Sequence, residues 1–187
     1  GQANTLKVLS LEHKLGLHGS PTAVMSLEGA TGWMVGEEFG GMAAMFTMMN
    51  NARLGVGAQG SGIAEAAFQL AAAYARDRKQ GVAPGRGTII AHADVKRMLG
   101  QMKAEIFAAR SIALSCAVSI DMAASTKEDR WAARAAFLTP IAKSYGTEVG
   151  WRVADLGVQI HGGMGYVEET GAAQLLRDVR ITQIYEG

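Results

Sequence analysis

The sequence has little of several features that would assign it to a class. It has one cysteine, Cys116, in 187 residues, which excludes a disulfide framework and favours a reducing compartment. A free cysteine in an apolar run is usually buried, so Cys116 is predicted to be a structural thiol. Neither sign of charge dominates, because 18 basic residues face 17 acidic ones. A general attraction to nucleic acid or to an anionic membrane is therefore excluded, and any anion site must be local.

Long apolar segments and metal motifs are also missing. No uncharged apolar stretch approaches the roughly 20 residues that cross a bilayer, so no membrane span is predicted. The first residues lack the basic and apolar segments of a secretory signal. The four histidines form no H-E-x-x-H arrangement, so no metal site is predicted. Because the chain lacks an initiating methionine and stops abruptly at Gly187, we expect it to be part of a longer protein.

The hydrophobic pattern divides the chain into two parts. At 49% hydrophobic residues, the composition suffices for one buried core. Within residues 1–39, short apolar runs at 6–11, 23–27 and 32–36 are bounded by turn residues and are predicted to be strands. From residue 40 to 187 the period changes to about 3.6, which predicts a helical domain. We assign residues 1–39 to the end of a β-domain and residues 40–187 to a helical bundle.

The helical part is predicted to contain three long helices and a short one. The first covers about 42–78, and the second begins near Asp94. The sequence S-T-K-E at 125–128 matches a capping box and predicts the start of the third, which ends at the glycines of 162–165. The fourth covers about 168–177. Long helices joined by short loops predict a mainly α fold, an antiparallel bundle preceded by a few strands.

Two glycine-rich motifs each allow two interpretations. The sequence G-V-G-A-Q-G at 55–60 matches the dinucleotide fingerprint, but helical periodicity runs through it and no strand precedes it. Close helix packing is the ordinary interpretation there, and contact with a cofactor is the other. The turn H-G-G-M-G at 161–165 either ends a helix or holds a pyrophosphate on its backbone amides. The basic residues around Arg78 are either solvated charges or a phosphate site.

Several segments together resemble the acyl-CoA dehydrogenase family. They occur in the family's order and cover essentially the whole chain. They are LEHKLG at 11–16, MFTMMNNARL at 45–54, YARDRKQ at 74–80, HADVKRML at 92–99, VQIHGGMGY at 158–166 and RDVRITQIYEG at 177–187. The resemblance implies the end of the family's middle β-domain followed by its carboxyl-terminal helical domain, in a homodimer or homotetramer.

The resemblance also implies an activity, an FAD-dependent α,β-desaturation of an acyl-CoA thioester as in fatty-acid β-oxidation. Glu186 takes the role of the catalytic base that removes the α-proton, while the β-hydrogen leaves as hydride to the flavin N5. An electron-transfer flavoprotein is the implied acceptor. The implied compartment is the cytoplasm of a bacterium or the mitochondrial matrix of a eukaryote. The isolated chain is expected to be inactive, because most of the β-domain is missing from it.

The resemblance assigns binding roles residue by residue. The implied substrate contacts are Arg53, Asn50 and Gly187. The implied FAD contacts, commonly made to the neighbouring subunit's cofactor, are Arg78, Gln80, Gln159, Gly162 and Gly163. Two alternatives remain open. One is an acyl-CoA oxidase with the same fold and base, and the other is a helical oligomerisation module without catalysis.

Overall fold

The computed structural model describes residues 3–82 and 87–186. Its β part is a hairpin of β1, Lys7–Leu11, and β2, Ala23–Ser26, paired antiparallel with an irregularity between Val8 and Ser10. The third predicted strand, at 32–36, does not form a strand. Trp33 and Val35 of that segment are 85% and 97% exposed, and no strand of the described residues pairs with it to supply the hydrogen bonds that a strand needs.

Four α-helices form the rest of the chain, and the prediction of a mainly helical bundle is confirmed. They are α1, Gly41–Asp77; α2, Ala93–Thr126; α3, Asp129–His161; and α4, Ala172–Arg180. Short 3-10 turns occur at Ile89–Ala91, Gly162–Tyr166, Glu168–Thr170 and Ile181–Gln183. Only two residues separate α2 from α3, so these helices are antiparallel neighbours.

The predicted capping box at the start of the third helix was wrong. α2 continues through Ser125 and Thr126, whose hydroxyls donate to the carbonyl of Met122 within the last turn. Lys127 then takes the left-handed conformation with φ 60° and ends α2. Serine and threonine hydroxyls can form hydrogen bonds with nearby backbone groups at either end of a helix. Ser125 and Thr126 therefore belong to the end of α2 and not to the start of α3. The fourth helix also begins later than predicted, after Gly171 at φ 79°.

The centre of the bundle is a close crossing of α1 and α3. A Cβ built on Gly60 would lie 2.8 Å from the carbonyl carbon of Gly146 and 2.8 Å from the Cα of Thr147. A Cβ on Gly57 would lie 2.9 Å from the carbonyl carbon of Ala142. The glycines of 55–60 therefore lie in the middle of a 37-residue helix. This excludes the dinucleotide fingerprint and confirms the packing interpretation for Gly57 and Gly60, whereas a Cβ on Gly55 would meet no described atom within 4 Å.

The helical spacing of the apolar residues from Met42 onward predicts one buried face along the whole of α1, but the start of that face is exposed. Met42, Met45 and Phe46 are exposed, whereas the buried residues begin at Val56. Periodicity identified the helix, but it could not show that the first turns of α1 are exposed in the described chain. Alanines and glycines form most of the buried face, which allows the helix backbones to approach closely.

Helix α2 contains the buried cysteine and the most apolar segment of the chain. Cys116 is 0% exposed, so the prediction of a buried thiol is confirmed. By length and composition alone α2 is the one helix of the described residues that could cross a membrane, and 22% of its most apolar stretch is buried. α2 packs against both α1 and α3.

Candidate functional site

The carboxyl-terminal segment, residues 179–186, lies across the middle of α1. Val179 and Thr182 anchor it, being 0% and 1% exposed, and the Thr182 hydroxyl donates to the Val179 carbonyl at 2.6 Å. The hydroxyl of Tyr185 donates to Oε1 of Gln59 at 2.8 Å. These contacts place Glu186 beside α1, close to the crossing with α3.

Glu186 has an unusual backbone and an unusual side chain. Its φ is 64°, in the left-handed region that residues other than glycine seldom adopt. Nε of Arg53 donates to its backbone carbonyl at 3.3 Å. Oε2 of the side chain is buried, and no described residue gives it a hydrogen bond. A buried carboxylate oxygen without a partner is rare and unfavourable, so its free lone pairs point to a function.

Lys143, on α3, is a member of this site that the sequence patterns did not single out. Only 3% of the residue is exposed. Burial lowers the pKa of Lys143, the negative charge of Glu186 opposes this, and the positive charge of Arg53 lowers the pKa further. Arg53 contacts Glu186 directly, and Lys143 is near enough for both charges to act on its pKa; these three residues are called the acid–base cluster below. Lys143 could have been found in the sequence as a charged residue next to the small residues Ala142 and Gly146, which predict a buried helix face.

The cluster continues to the tyrosine before Glu186. Burial raises the pKa of Tyr185, and the charge of Glu186 raises it as well. The phenol is therefore held in its neutral form, in which it donates to Gln59. Beside Tyr185 lies a cavity of about 480 Å³ between residues 14–22 and α4. Apolar side chains such as Leu15, Leu17 and Ile181 line it.

The two predicted substrate residues in the described chain share a cavity. Asn50 and Arg53 line a space of about 430 Å³ together with residues of α2 and α3, among them Ile120 and Thr139. The residues are one helical turn apart on α1, which puts both side chains on the same face. Arg53 thus borders this cavity and also contacts Glu186. The third predicted substrate residue, Gly187, lies outside the described residues.

Four of the five predicted cofactor residues meet in a separate cavity of about 350 Å³. Arg78 and Gln80 follow the end of α1, and Gln159 and Gly162 come from the end of α3. Gly163 is not among the residues that line it. Chain segments about 80 residues apart in sequence are therefore adjacent here, because α1 and α3 end at the same side of the bundle.

Two histidines and a tyrosine also line this second cavity, and sequence reasoning did not select them. The ring of Tyr74 stacks on His161 with centroids 4.4 Å apart. Nδ1 of His161 donates to the Gly157 carbonyl at 2.7 Å, and Nε2 of His92 donates to the Gln80 carbonyl at 3.1 Å. These bonds orient both rings and restrain the loop that includes Gln80. All three residues lie within the sequence segments that resemble the acyl-CoA dehydrogenase family. That resemblance is the one feature of the sequence that could have selected them.

The two parts of the site are far apart. Arg53 and Arg78 are separated by 25 positions along α1 and its cap, which corresponds to roughly 37 Å at about 1.5 Å per residue. The described residues contain no group of three His, Cys, Asp or Glu side chains able to hold a metal ion. The acid–base cluster at Glu186 and the cavity at Arg78 are therefore separate sites of one chain.

Comparison with known proteins gives a consistent assignment. Residues 40–187 match the family described as acyl-CoA dehydrogenase, C-terminal domain. The chain is 50% identical over 194 residues to a 3-methylmercaptopropionyl-CoA dehydrogenase from Ruegeria pomeroyi. This match covers 100% of the chain but only 33% of that relative. The chain thus spans about a third of the length of this curated relative.

Solved structures share the fold over the whole chain. One is ACDH-11 of Caenorhabditis elegans in complex with C11-CoA, with a TM-score of 0.89 and 28% identity, covering 100% of this chain and 31% of that protein. Another is an acyl-CoA dehydrogenase from Bacillus anthracis complexed with FAD, with a TM-score of 0.88 and 29% identity. That match covers 97% of this chain and 33% of the Bacillus protein.

Proposed function

Because the chain belongs to the acyl-CoA dehydrogenase family, we propose that it supplies the catalytic base of an enzyme that desaturates an acyl-CoA thioester between its α and β carbons. The observation that carries this proposal is the buried Oε2 of Glu186, which no described residue contacts through a hydrogen bond. A proton acceptor needs a free lone pair in a site that excludes water, and this oxygen has both.

The residues around Glu186 divide the work of proton abstraction. Arg53 donates a hydrogen bond to the backbone carbonyl of Glu186, and Glu186 has a left-handed φ of 64°, a strained conformation of the kind found at functional sites. Tyr185 and Gln59 fix the preceding residue. The carboxylate takes the α-proton of the thioester, and the electron pair of the Cα–H bond becomes the new carbon–carbon π bond. The β-hydrogen leaves with its own electron pair as hydride.

The residues of the second cavity fit the adenosine and pyrophosphate portion of FAD. Arg78 contributes a guanidinium, the donor that best matches phosphate oxygens. Gln80 and Gln159 contribute amides, and Gly162 leaves the backbone accessible at the end of α3. FAD, when bound, supplies the hydride acceptor for the reaction. The Bacillus anthracis relative is complexed with FAD, which supports this cofactor here.

The distance between the two sites supports a dimer or a larger homo-oligomer. The roughly 37 Å between Arg53 and Arg78 exceeds the length of an extended FAD molecule. One FAD cannot reach both Glu186 and the Arg78 cavity of the same chain. We infer that each complete site combines Glu186 of one subunit with Arg78, Gln80 and Gln159 of another.

A test of this arrangement uses hybrid oligomers of the full-length enzyme. Glu186→Gln subunits are mixed with Arg78→Ala subunits that carry a different affinity tag, and the mixed species is isolated. Each mixed pair then contains one site with both residues intact and one with neither. We expect about half of the parental activity per mixed pair, although each variant alone is nearly inactive. No recovery in the hybrid would contradict a shared site.

The role of Glu186 itself is tested in the full-length enzyme by flavin absorbance. We expect the parent to lose its flavin band on addition of a suitable thioester, from a panel of straight-chain acyl-CoAs and 3-methylmercaptopropionyl-CoA. Glu186→Gln should retain flavin but bleach at least about 1,000-fold more slowly, because the amide cannot accept the proton. The matched control is Glu169→Gln, since Glu169 is exposed. Parental bleaching in Glu186→Gln would assign the base elsewhere.

The proposed electron acceptor is an electron-transfer flavoprotein rather than oxygen. The alternative is an acyl-CoA oxidase, which would use the same base. Mixing the substrate-reduced full-length enzyme with air-saturated buffer distinguishes the two. We expect slow reoxidation in air and fast reoxidation by an electron-transfer flavoprotein. Rapid formation of hydrogen peroxide would refute the dehydrogenase assignment and leave the desaturation itself intact.

A further inference from the structure

The connection between β1 and β2 contains a turn, residues 14–20, that packs against the last turn of α4. The turn is held by its own hydrogen bonds: the Lys14 ammonium donates to the Ser20 carbonyl, and the Ser20 amide donates to the Leu17 carbonyl at 3.0 Å. Leu17 has a left-handed φ of 50°, which residues other than glycine seldom adopt. The turn is therefore a folded unit, and it presents the backbone amide of Leu17 to α4.

Asp178 of α4 accepts a hydrogen bond from this amide. The Leu17 N–H donates to Oδ1 of Asp178 at 2.7 Å, and Nε2 of Gln174 donates to Oδ2 at 3.4 Å. Among the described residues, the bond from Leu17 is the one hydrogen bond that joins the hairpin and its connection, residues 7–26, to the four helices. A carboxylate in the last turn of a helix is unfavourable, because the helix dipole is negative there. The bond to the turn compensates for this position of Asp178.

Gly16 brings the backbones of the turn and of α4 into direct contact. A Cβ built on Gly16 would lie 2.7 Å from the carbonyl carbon of Arg177, 2.8 Å from its carbonyl oxygen and 2.6 Å from Oδ1 of Asp178. The two Arg177 atoms belong to the backbone, so no rotamer change can relieve the overlap. In the same turn, a Cβ on Gly19 would meet no atom within 4 Å. The close contact therefore belongs to one side of the turn, where the Leu17 amide also lies.

The docked turn forms part of the wall of the cavity of about 480 Å³ beside Tyr185. Leu15 and Leu17 line this cavity from the turn, and Ile184 and Tyr185 line it from the carboxyl-terminal segment. The width of the cavity therefore depends on how closely the turn lies against α4. Because α4 leads directly into the segment that contains Glu186, the same contact also sets the position of the hairpin relative to the proposed base.

We propose that Asp178 is a positioning residue, which holds the 14–20 turn against α4 and so fixes the cavity beside Tyr185 relative to the catalytic base. The effect on the rate rests on the proposed function of Glu186, whereas the contact itself does not. Asp178 touches no reacting atom in this role and transfers no proton. Its contribution is geometric, because misplacing a reacting group by about 1 Å costs roughly 100-fold in rate.

The contact is tested by amide hydrogen exchange in the full-length enzyme without substrate. We expect the Leu17 amide to exchange at least about tenfold faster in Asp178→Ala than in the parent, because it loses a charged acceptor. Asp178→Asn keeps an acceptor oxygen and should recover most of the protection. The control Asp121→Ala, at an exposed aspartate of α2, should match the parent. Parental exchange of this amide in Asp178→Ala would overturn the proposal.

Gly16→Ala and Gly19→Ala form a second, matched pair that leaves Asp178 unchanged. The methyl group on residue 16 should push the turn away from α4 and accelerate exchange of the Leu17 amide, as Asp178→Ala does. Gly19→Ala adds its methyl group in open space and should exchange like the parent. Equal exchange in the two glycine variants would contradict the close contact.

Flavin bleaching by a thioester separates positioning from stability. We expect Asp178→Ala and Gly16→Ala to bleach at least roughly tenfold more slowly per bound flavin, with the dissociation constant of the thioester changed by less than about threefold. Asp178→Asn should recover most of this rate. A purely structural role predicts less bound flavin but a parental rate per flavin, and that result would overturn the positioning role. If the parent bleaches with no thioester, the proposed reaction fails, while hydrogen exchange still decides whether Asp178 holds the turn.

Discussion

Replacing Gly60 by alanine tests whether the crossing of α1 and α3 requires a residue without a side chain. The added methyl group would lie 2.8 Å from both the carbonyl carbon of Gly146 and the Cα of Thr147. Both are backbone atoms, so a rotamer change cannot relieve the overlap and the helices must separate. Overpacking of this kind costs about 1–3 kcal/mol of folding free energy.

The matched control is Gly62→Ala, two residues further along the same helix. A Cβ on Gly62 meets no atom within 4 Å, and α1 is continuous through both positions. Alanine is favoured over glycine in a helix by about 1 kcal/mol. Gly62→Ala should therefore stabilise the protein by about 0.5–1 kcal/mol. Because the propensity gain is common to both variants, the difference between them isolates the steric contribution.

Urea unfolding followed by circular dichroism, at one protein concentration, measures both variants. We expect the unfolding free energies of Gly60→Ala and Gly62→Ala to differ by about 1–3 kcal/mol, the steric cost alone, because the propensity gain is common to both variants. Equal midpoints with equal slopes would refute the close crossing. A result in which Gly62→Ala is the less stable variant would show that another element covers that face of α1.

Two further predictions concern side chains near the site and on the surface. Tyr185→Phe removes the hydrogen bond to Gln59 and should cost about 0.5–1.5 kcal/mol in unfolding free energy, whereas Gln59→Glu retains an acceptor and should cost less. The pKa of Glu65 is lowered, first by its hydrogen bond from Gln69 and then by that from Arg110. Because the pKa of Glu65 is lower in the folded than in the unfolded protein, its ionisation stabilises the fold at pH values above the ordinary pKa of 4.5. This stabilisation is lost as the pH falls through the pKa of the folded state. Glu65→Gln should therefore lower the unfolding free energy by at most about 1 kcal/mol at neutral pH, because the Glu65–Arg110 pair is partly exposed. In strong acid the variant and the parent should be equally stable. A difference in stability that stays constant across this pH range would contradict a lowered pKa of Glu65.

The long helices were predictable from sequence because amphipathic periodicity over 30 or more residues is a strong signal. Their ends were less predictable. Ser125 and Thr126 have the composition of a helix start but end α2, since their hydroxyls find the carbonyl of Met122. The segment at 32–36 has the composition of a strand, yet the hairpin of β1 and β2 does not extend to it.

The sequence by itself determined the helical fold, the resemblance to the family and the candidate role of Glu186, because local periodicity and ordered motifs are recorded along the chain. Only the tertiary structure showed that Glu186 has a buried oxygen without a described partner and that Arg53 donates to its backbone carbonyl. It also showed that Arg78 and Gln159 share a cavity far from Arg53. These relations depend on where α1 and α3 cross and end, and contacts between distant segments leave no trace in the spacing of residues along one chain.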